Sequence, residues 1–238
     1  MRIFGNGFIG KNLKKGNLAF KDEYVIYAAG ISNSKTLDKK NLKKEIIKIN
    51  NFINRYNDKK IIIYISSMSI FDKSLKKNKY IKNKLLIENL IKRIVKRFII
   101  VRLTQVVGTN KNPYTITNFI YNNIKNNKSF NLWHGHKRNL IDVDDVIKIF
   151  KKIVKKKFSK NKILNIYNTK SISVKKIFIL LSKILKKKIQ LKEIKNKKKP
   201  SQYSYKKLSD VYEFAYLFKK KNYNERILMK YYKWNFLL

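Results

Sequence analysis

The short apolar stretch Arg2–Phe4 runs straight into Gly5-Asn6-Gly7-Phe8-Ile9-Gly10, and a segment able to form a helix follows to about Lys15. A strand that enters a glycine triplet of this spacing and leaves it as a helix restricts the rest of the fold severely. The first glycine permits a tight turn, the second lets a pyrophosphate approach the backbone, and the third lets the helix pack on the strand. The helix N-terminus then turns free N–H groups and a partial positive charge toward a phosphate. The chain has seven glycines in 238 residues and three stand here, so a nucleotide site is the stronger reading and an ordinary glycine turn the weaker.

The pattern beyond the turn agrees with an α/β sheet. Tyr24–Ala29 and Lys60–Ile65 are continuous apolar runs of the kind found in strands covered on both faces, and Phe98–Leu103 is a third. Between them, Leu42–Tyr56 carries Ile46, Ile47, Ile49, Ile53 and Tyr56 at helical spacing, and Tyr80–Val95 is also helical. Strands alternating with helices of this length predict βαβ units and a parallel sheet. The second half predicts a helix over Thr115–Lys125, short strands at Phe130–Trp133, Asn139–Val143 and Ile163–Tyr167, and a helix over Ser173–Leu185 capped by Ser171 or Ser173. Asp144 or Asp145 is expected to cap a basic helix running to about Lys157. Lys195–Pro200 reads as a surface linker, with one or two helices after it up to Trp234.

The formal charge of +44 invites a nucleic-acid reading, but only seven of the 58 basic residues are arginine and lysines recur from Lys11 to Lys233. An excess made of lysine, with abundant Asn, Ile, Tyr and Phe, is what AT-rich coding would place at solvated positions, so no nucleic-acid partner is expected. A positive field would still steer a diphosphate-bearing substrate inward. The absence of cysteine excludes disulfides and thiolate metal sites, and the two histidines, His134 and His136, are too few for a histidine-rich one. No run reaches the roughly 18 apolar residues of a membrane span, and no N-terminal stretch has a signal-peptide layout. A cytoplasmic address is expected.

Two further motifs carry chemistry. Ile65-Ser66-Ser67-Met68-Ser69-Ile70-Phe71-Asp72 ends a central strand, where open α/β sheets bind ligands and where a hydroxyl can bond a substrate oxygen. A serine-rich loop is the plain alternative. Tyr80-x-x-x-Lys84 places a phenol and an ammonium on one helix face, and a nearby ammonium lowers a phenol's pKa toward the range useful for proton transfer. The spacing alone says little, because Tyr56, Tyr121, Tyr203 and Tyr216 are also followed by lysine at that distance. Only the Tyr80 pair opens a helix after a serine-bearing central strand.

Taken in order, GNGFIG, YAAGIS, ISSMSIFD, YIKNK, VRLTQVVGTN and RNLIDVDDV resemble the extended short-chain dehydrogenase/reductase superfamily, and within it the NAD-dependent epimerase/dehydratases and dTDP-4-dehydrorhamnose reductase-like enzymes. The similarity runs from Arg2 to about Phe150 with a weaker echo at Asn165–Asn168. It implies a Rossmann-type parallel sheet with a small C-terminal α/β substrate lobe: a shortened NAD(P)-binding domain over residues 1–108, and a substrate-binding lobe with C-terminal helices over 109–238. By the same resemblance Gly5, Gly7 and Gly10 hold the pyrophosphate of NAD or NADP, Phe8 and Ile9 also bind the cofactor, and Ala28, Ala29 and Gly30 line the cofactor cleft. Ser67 orients the substrate oxygen, Tyr80 is the general acid/base, and Lys84 binds the nicotinamide ribose and depresses the pKa of Tyr80. Arg138 binds the diphosphate of a nucleotide-sugar substrate, a role its forked donor set suits.

The implied activity is reduction of a keto-sugar nucleotide in glycan precursor synthesis. The alternatives are a sugar-nucleotide 4-epimerase, or a non-catalytic member that binds a sugar nucleotide or a partner protein. A homodimer through the Tyr80 helix and its neighbour is also implied. Three features depart from the family pattern. Phe4 stands where the family has its first glycine, and Ser67 and Tyr80 are unusually close in sequence. Between Gly10 and Tyr24 there is room only for a helix and a short strand at Asn17–Phe20, where the family fits two strands and two helices. Asp22 is a candidate for the residue that reads the adenosine ribose.

Overall fold

The computed structural model describes residues 2–16, 22–31, 38–72, 78–155, 161–194 and 214–233. The N-terminal half alternates β1 (Arg2–Phe4), α1 (Phe8–Lys15), β2 (Tyr24–Tyr27), α2 (Lys39–Tyr56), β3 (Ile61–Ser67), a 3₁₀ turn at Met68–Phe71, α3 (Lys79–Ile94) and β4 (Phe98–Leu103). Then come β5 (Gln105–Val107), α4 (Ile116–Lys125), β6 (Phe130–Trp133), β7 (Lys137–Arg138), β8 (Leu140–Asp142), α5 (Val143–Lys155) and β9 (Lys162–Ile166). The chain closes with β10 (Ile172–Ser173), α6 (Val174–Leu185), β11 (Leu191–Ile194), a 3₁₀ turn at Ala215–Phe218 and α7 (Tyr223–Tyr232).

The main sheet is parallel throughout, in the order β1-β2-β3-β4-β9. Its fifth strand therefore comes from beyond residue 108. The expected Rossmann-type parallel sheet is present, with β1 at its edge among the described residues. The expected strand at Asn17–Phe20 and linker at Lys195–Pro200 lie outside the described residues. Three two-stranded pairs complete the fold: β5 with β8, β6 with β11, and β7 antiparallel to β10.

The apolar runs form strands because both faces of the sheet are covered. Val25, Tyr27, Ile62, Tyr64 and Ile100 pack with Ile49, Phe52, Ile53 and Tyr56 of α2 and Ile87 and Ile91 of α3. The intervening residues Tyr24, Ile26, Ile61, Ile63, Ile65, Ile99 and Val101 belong to the larger core on the opposite face, with Leu13 of α1, Val146 of α5 and Leu181 of α6. Each fully buried aliphatic side chain contributes about 1.5–3 kcal/mol.

Side-chain caps fix several helix starts: Asp38 accepts from Asn41 N, Asn78 from Tyr80 N, Thr115 from Asn118 N and Ser173 from Lys176 N. Ser173, not Ser171, therefore caps α6. At α5 the expected cap is displaced by two or three residues. Asp142 Oδ1 accepts from Asp144 N at 2.9 Å, because the helix begins directly as β8 ends. No helix among the described residues is long and apolar enough to cross a membrane.

Candidate active site

The glycine turn joins β1 to α1. Gly5 has φ +121°, a conformation that disfavours any side chain, and a Cβ there would stand 2.4 Å from Ala28 O. A Cβ on Gly10 would stand 2.5 Å from Gly5 O. Gly5 and Gly10 are thus required for close packing within the turn and against the segment after β2, where Ala28 N also donates to Phe4 O at 2.7 Å. Gly7 differs: nothing lies within 4 Å of where its Cβ would be, and as N-cap of α1 it supplies no side-chain bond to the first-turn N–H groups. That open face and those donors suit a phosphate. The Phe8 ring packs toward Gly108 and Val143, and Ile9 packs against the larger core.

At the same edge of the sheet, Asn78 caps α3 and so sets Tyr80 in its first turn, half-buried. Lys84 follows one turn on, 3% exposed, with its Nζ 5.7 Å from the Tyr80 ring centroid. The hydrogen bond of that ammonium goes to a different phenol, Tyr64 of β3, at 3.3 Å. The side of Gly30 that lacks a Cβ faces the same ammonium: an added Cβ would stand 2.5 Å from Lys84 Nζ and 3.1 Å from Glu45 Oε1. Glu45, on α2 and 3% exposed, lies 3.7 Å from Lys84 Nζ and accepts hydrogen bonds from Asn83 Nδ2 (2.7 Å) and Ile31 N (3.2 Å). Burial works against the charge on Lys84, but Tyr64, Tyr80 and Glu45 outweigh it and hold its pKa above the ordinary lysine value. Burial pushes the Tyr27 phenol up to about 12, with Glu45 adding to the rise and Lys84 opposing it.

Ser67 ends β3, half-buried, and its Oγ accepts from Ser69 N at 3.1 Å, which leaves its O–H to donate. Ser66 points the other way and donates to Glu88 Oε1 at 2.6 Å. Glu88 is fully buried and takes a two-pronged bond from Arg102 of β4, which also reaches Asn165 of β9 at 3.4 Å. Arg138 lies on β7, with Nη1 bonded to its neighbour's carbonyl, Lys137 O. His136 nearby is held below the usual imidazole pKa by burial and then by Arg138, with Asp72 opposing.

The candidate cofactor residues Gly5, Gly7, Phe8, Ile9, Gly10, Ala28, Ala29 and Gly30 thus converge on one turn and the segment packed against it, and Gly30 leads on to Lys84 and Tyr80. Asp22 does not join them. It precedes β2, at the sheet edge opposite the turn, and pairs there with Lys60. No cluster of metal-ligating side chains occurs among the described residues.

The sequence reading did not single out Glu45, Tyr64, Asn83, Glu88 or Arg102. Two signals point to Glu88 and Glu45. Tyr80, Lys84 and Glu88 recur every four residues on one face of α3, and the buried stripe Ile49–Phe52–Ile53–Tyr56 of α2, continued back one turn, arrives at Glu45.

A parallel sheet entered through a glycine turn, with a Tyr–Lys pair on the helix after its central strand, defines a Rossmann-type protein of the short-chain dehydrogenase/reductase kind. More particularly, the chain belongs to the NAD dependent epimerase/dehydratase family, whose model matches residues 21–166. Among solved structures it is similar to RMD from Pseudomonas aeruginosa complexed with NADPH, at 15% identity and TM-score 0.73 over 98% of each chain. It is also similar to UDP-glucuronic acid 4-epimerase from Bacillus cereus in complex with UDP-glucuronic acid and NAD, at 18% identity and TM-score 0.72 over 98% of this chain and 80% of that one. A third similar structure is the UDP-glucose 4-epimerase of Thermus thermophilus with NAD, at 12% identity and TM-score 0.72 over 98% of this chain and 99% of that one. No curated protein matches in sequence.

Proposed function

We propose that this chain is an NAD(P)-dependent oxidoreductase acting on a nucleotide-activated sugar, and specifically a keto-sugar reductase. The observation that carries the reading is the buried Lys84 ammonium, which touches the cleft segment at Gly30 and lies on the Tyr80 face of α3. The open face of Gly7 and the uncapped start of α1 fit the cofactor's pyrophosphate, with Gly5, Phe8, Ile9 and Gly10 shaping the turn. Ala28, Ala29 and Gly30 line its cleft, and Tyr80 and Lys84 meet its nicotinamide ribose. When bound, the cofactor supplies or accepts hydride.

The chain's own groups do the rest. Tyr80 passes its phenolic proton to the substrate oxygen as negative charge develops there. Ser67 donates a hydrogen bond to the same oxygen and stabilises it. Lys84 keeps a positive charge behind the phenol, and Arg138 holds the diphosphate. The reductase reading is preferred to a 4-epimerase because ISSMSIFD resembles the reductase form of that strand end. A homodimer through α2 and α3 is supported by the exposed apolar side chains Ile47, Leu85 and Leu86.

The test is cofactor consumption. With a keto-sugar nucleotide, one NADPH or NADH is expected to be oxidised per sugar reduced. Sugar interconversion with no net oxidation would make the chain an epimerase. A folded protein that binds neither dinucleotide by calorimetry would make it a non-catalytic member. Arg138→Ala is expected to raise the substrate KM about tenfold, the loss of a charged hydrogen bond, with cofactor affinity unchanged. Loss of cofactor affinity instead would remove Arg138 from the diphosphate.

A further inference from the structure

Lys84 is buried completely enough that its charge needs an explanation. A lysine enclosed in this way loses several units of pKa when nothing compensates it. Around it stand Tyr64 from β3, Tyr27 from β2, Tyr80 from its own helix and Glu45 from α2, and the backbone of Gly30 comes close to its Nζ. Lys44 and Lys48 of α2 line, with Glu45, a hollow of about 190 Å³ beside Ala29 and Ile31. The one carboxylate in this set is Glu45, and it is not placed by chance. Asn83, next to Lys84 on α3, and Ile31, in the cleft segment, both donate to it. The side chain therefore joins three elements at one point: α2, α3 and the cleft segment after β2.

We propose that Glu45 is the positioning residue of the site: its carboxylate keeps Lys84 an ammonium and fixes where that ammonium stands relative to Tyr80 and the cleft. The role acts through Lys84 and involves no contact between Glu45 and substrate. Its bearing on turnover rests on the reading of Tyr80 and Lys84 as the proton-transfer pair, whereas the ionisation of Lys84 does not.

The ionisation can be followed by carbon NMR of ¹³Cε-labelled lysine in the intact chain. Lys84 lies 5.4 Å from the Tyr64 ring centroid and 5.7 Å from that of Tyr80, so ring currents displace its signal, and disappearance of that signal in Lys84→Arg identifies it. Glu45→Gln keeps the shape and removes the charge; Glu45→Asp keeps the charge and withdraws it by one methylene. In Glu45→Gln the Lys84 midpoint is expected to fall by roughly one pH unit or more, a tenfold or larger change in its ionisation constant. In Glu45→Asp a smaller fall is expected, and that variant decides alone if the glutamine protein does not fold. An unchanged midpoint in the folded variants, or a fall in Asp as large as in Gln, would overturn the proposal. In parallel, NADPH-dependent kcat/KM is expected to fall more in Glu45→Gln than in Glu45→Asp, in the same order as the NMR midpoints. A wild-type chain that oxidises no NADPH would sink the reductase reading while leaving the NMR result to judge Glu45.

Discussion

Two places in this molecule combine a lysine, tyrosines and carboxylates, and they differ in how completely the groups satisfy one another. In the first, α7 is fastened to the end of β8 and the start of α5. Lys230 pairs with Asp142 at 2.9 Å and with Asp144, and Tyr231 donates to Asp142 Oδ1 at 2.6 Å. Tyr223 donates to Asp145 Oδ2 at 2.8 Å and accepts from Asp142 N at 2.9 Å. Short bonds run in every direction, and Lys230 is 42% exposed, so water completes its shell. In the second, Lys84 has three donors but, among the described residues, one hydrogen bond of 3.3 Å and one ion pair of 3.7 Å. The same residue types make a clasp where bonds are saturated and a receptive site where a buried charge keeps donors in reserve.

The contrast can be broken most sharply at the phenols. Tyr80→Phe is expected to lower NAD(P)H-dependent turnover by about 100-fold or more with folding unchanged, the usual loss when a positioned proton donor is removed. Tyr231→Phe is expected to leave turnover alone and cost about 1 kcal/mol of stability in urea melts. Equal effects on turnover would erase the distinction. The lysines come next. Lys84→Met strands Glu45 and is expected to cost about 3–5 kcal/mol. Lys230→Met removes a pair already half in water and is expected to cost about 1 kcal/mol or less. If Lys230→Met proves the more damaging, the clasp rather than the Lys84 pair is the electrostatic keystone.

The smallest effect concerns alkali. The Tyr27 phenol, pushed up to about 12 by burial, stays protonated in the folded chain after the unfolded chain has lost its proton near pH 10. Its contribution is therefore complete below pH 10 and drains away between 10 and 12, at roughly 1 kcal/mol per pH unit. Tyr27→Phe is expected to flatten the alkaline fall in stability over that window. An unaltered slope would assign the fall to other raised phenols, such as Tyr64 beside Lys84 or Tyr223 in the clasp.

What could be read from the sequence follows from what is local. Strands β2, β3 and β4 announce themselves because a strand covered on both faces must be apolar along its length. The glycine turn and the Tyr80–Lys84 face are likewise short-range patterns. Glu45 escapes a sequence reading because its meaning depends on α2 lying beside α3, a packing that no spacing within α2 encodes. Tyr64 escapes because strand parity must be known before its phenol can be aimed at α3 and not at the opposite face. The clasp joins residues 78 to 89 positions apart, so nothing near Asp142 hints at Lys230 or Tyr223. The α5 cap stands two or three residues before the expected aspartates because helix and strand abut with no loop between them, and the last strand residue serves both.

The order of strands in the sheet bears on how any dinucleotide would be kept. Among the described residues it increases steadily from β1 to β9, so there the glycine turn sits at the margin of the sheet and not at a reversal of strand order, where crevices between strands form. A molecule resting there would have a wall on one flank and, among the described residues, no strand on the other. Among those residues, the hold on such a molecule would come from the turn itself and from the segment after β2 on its walled side.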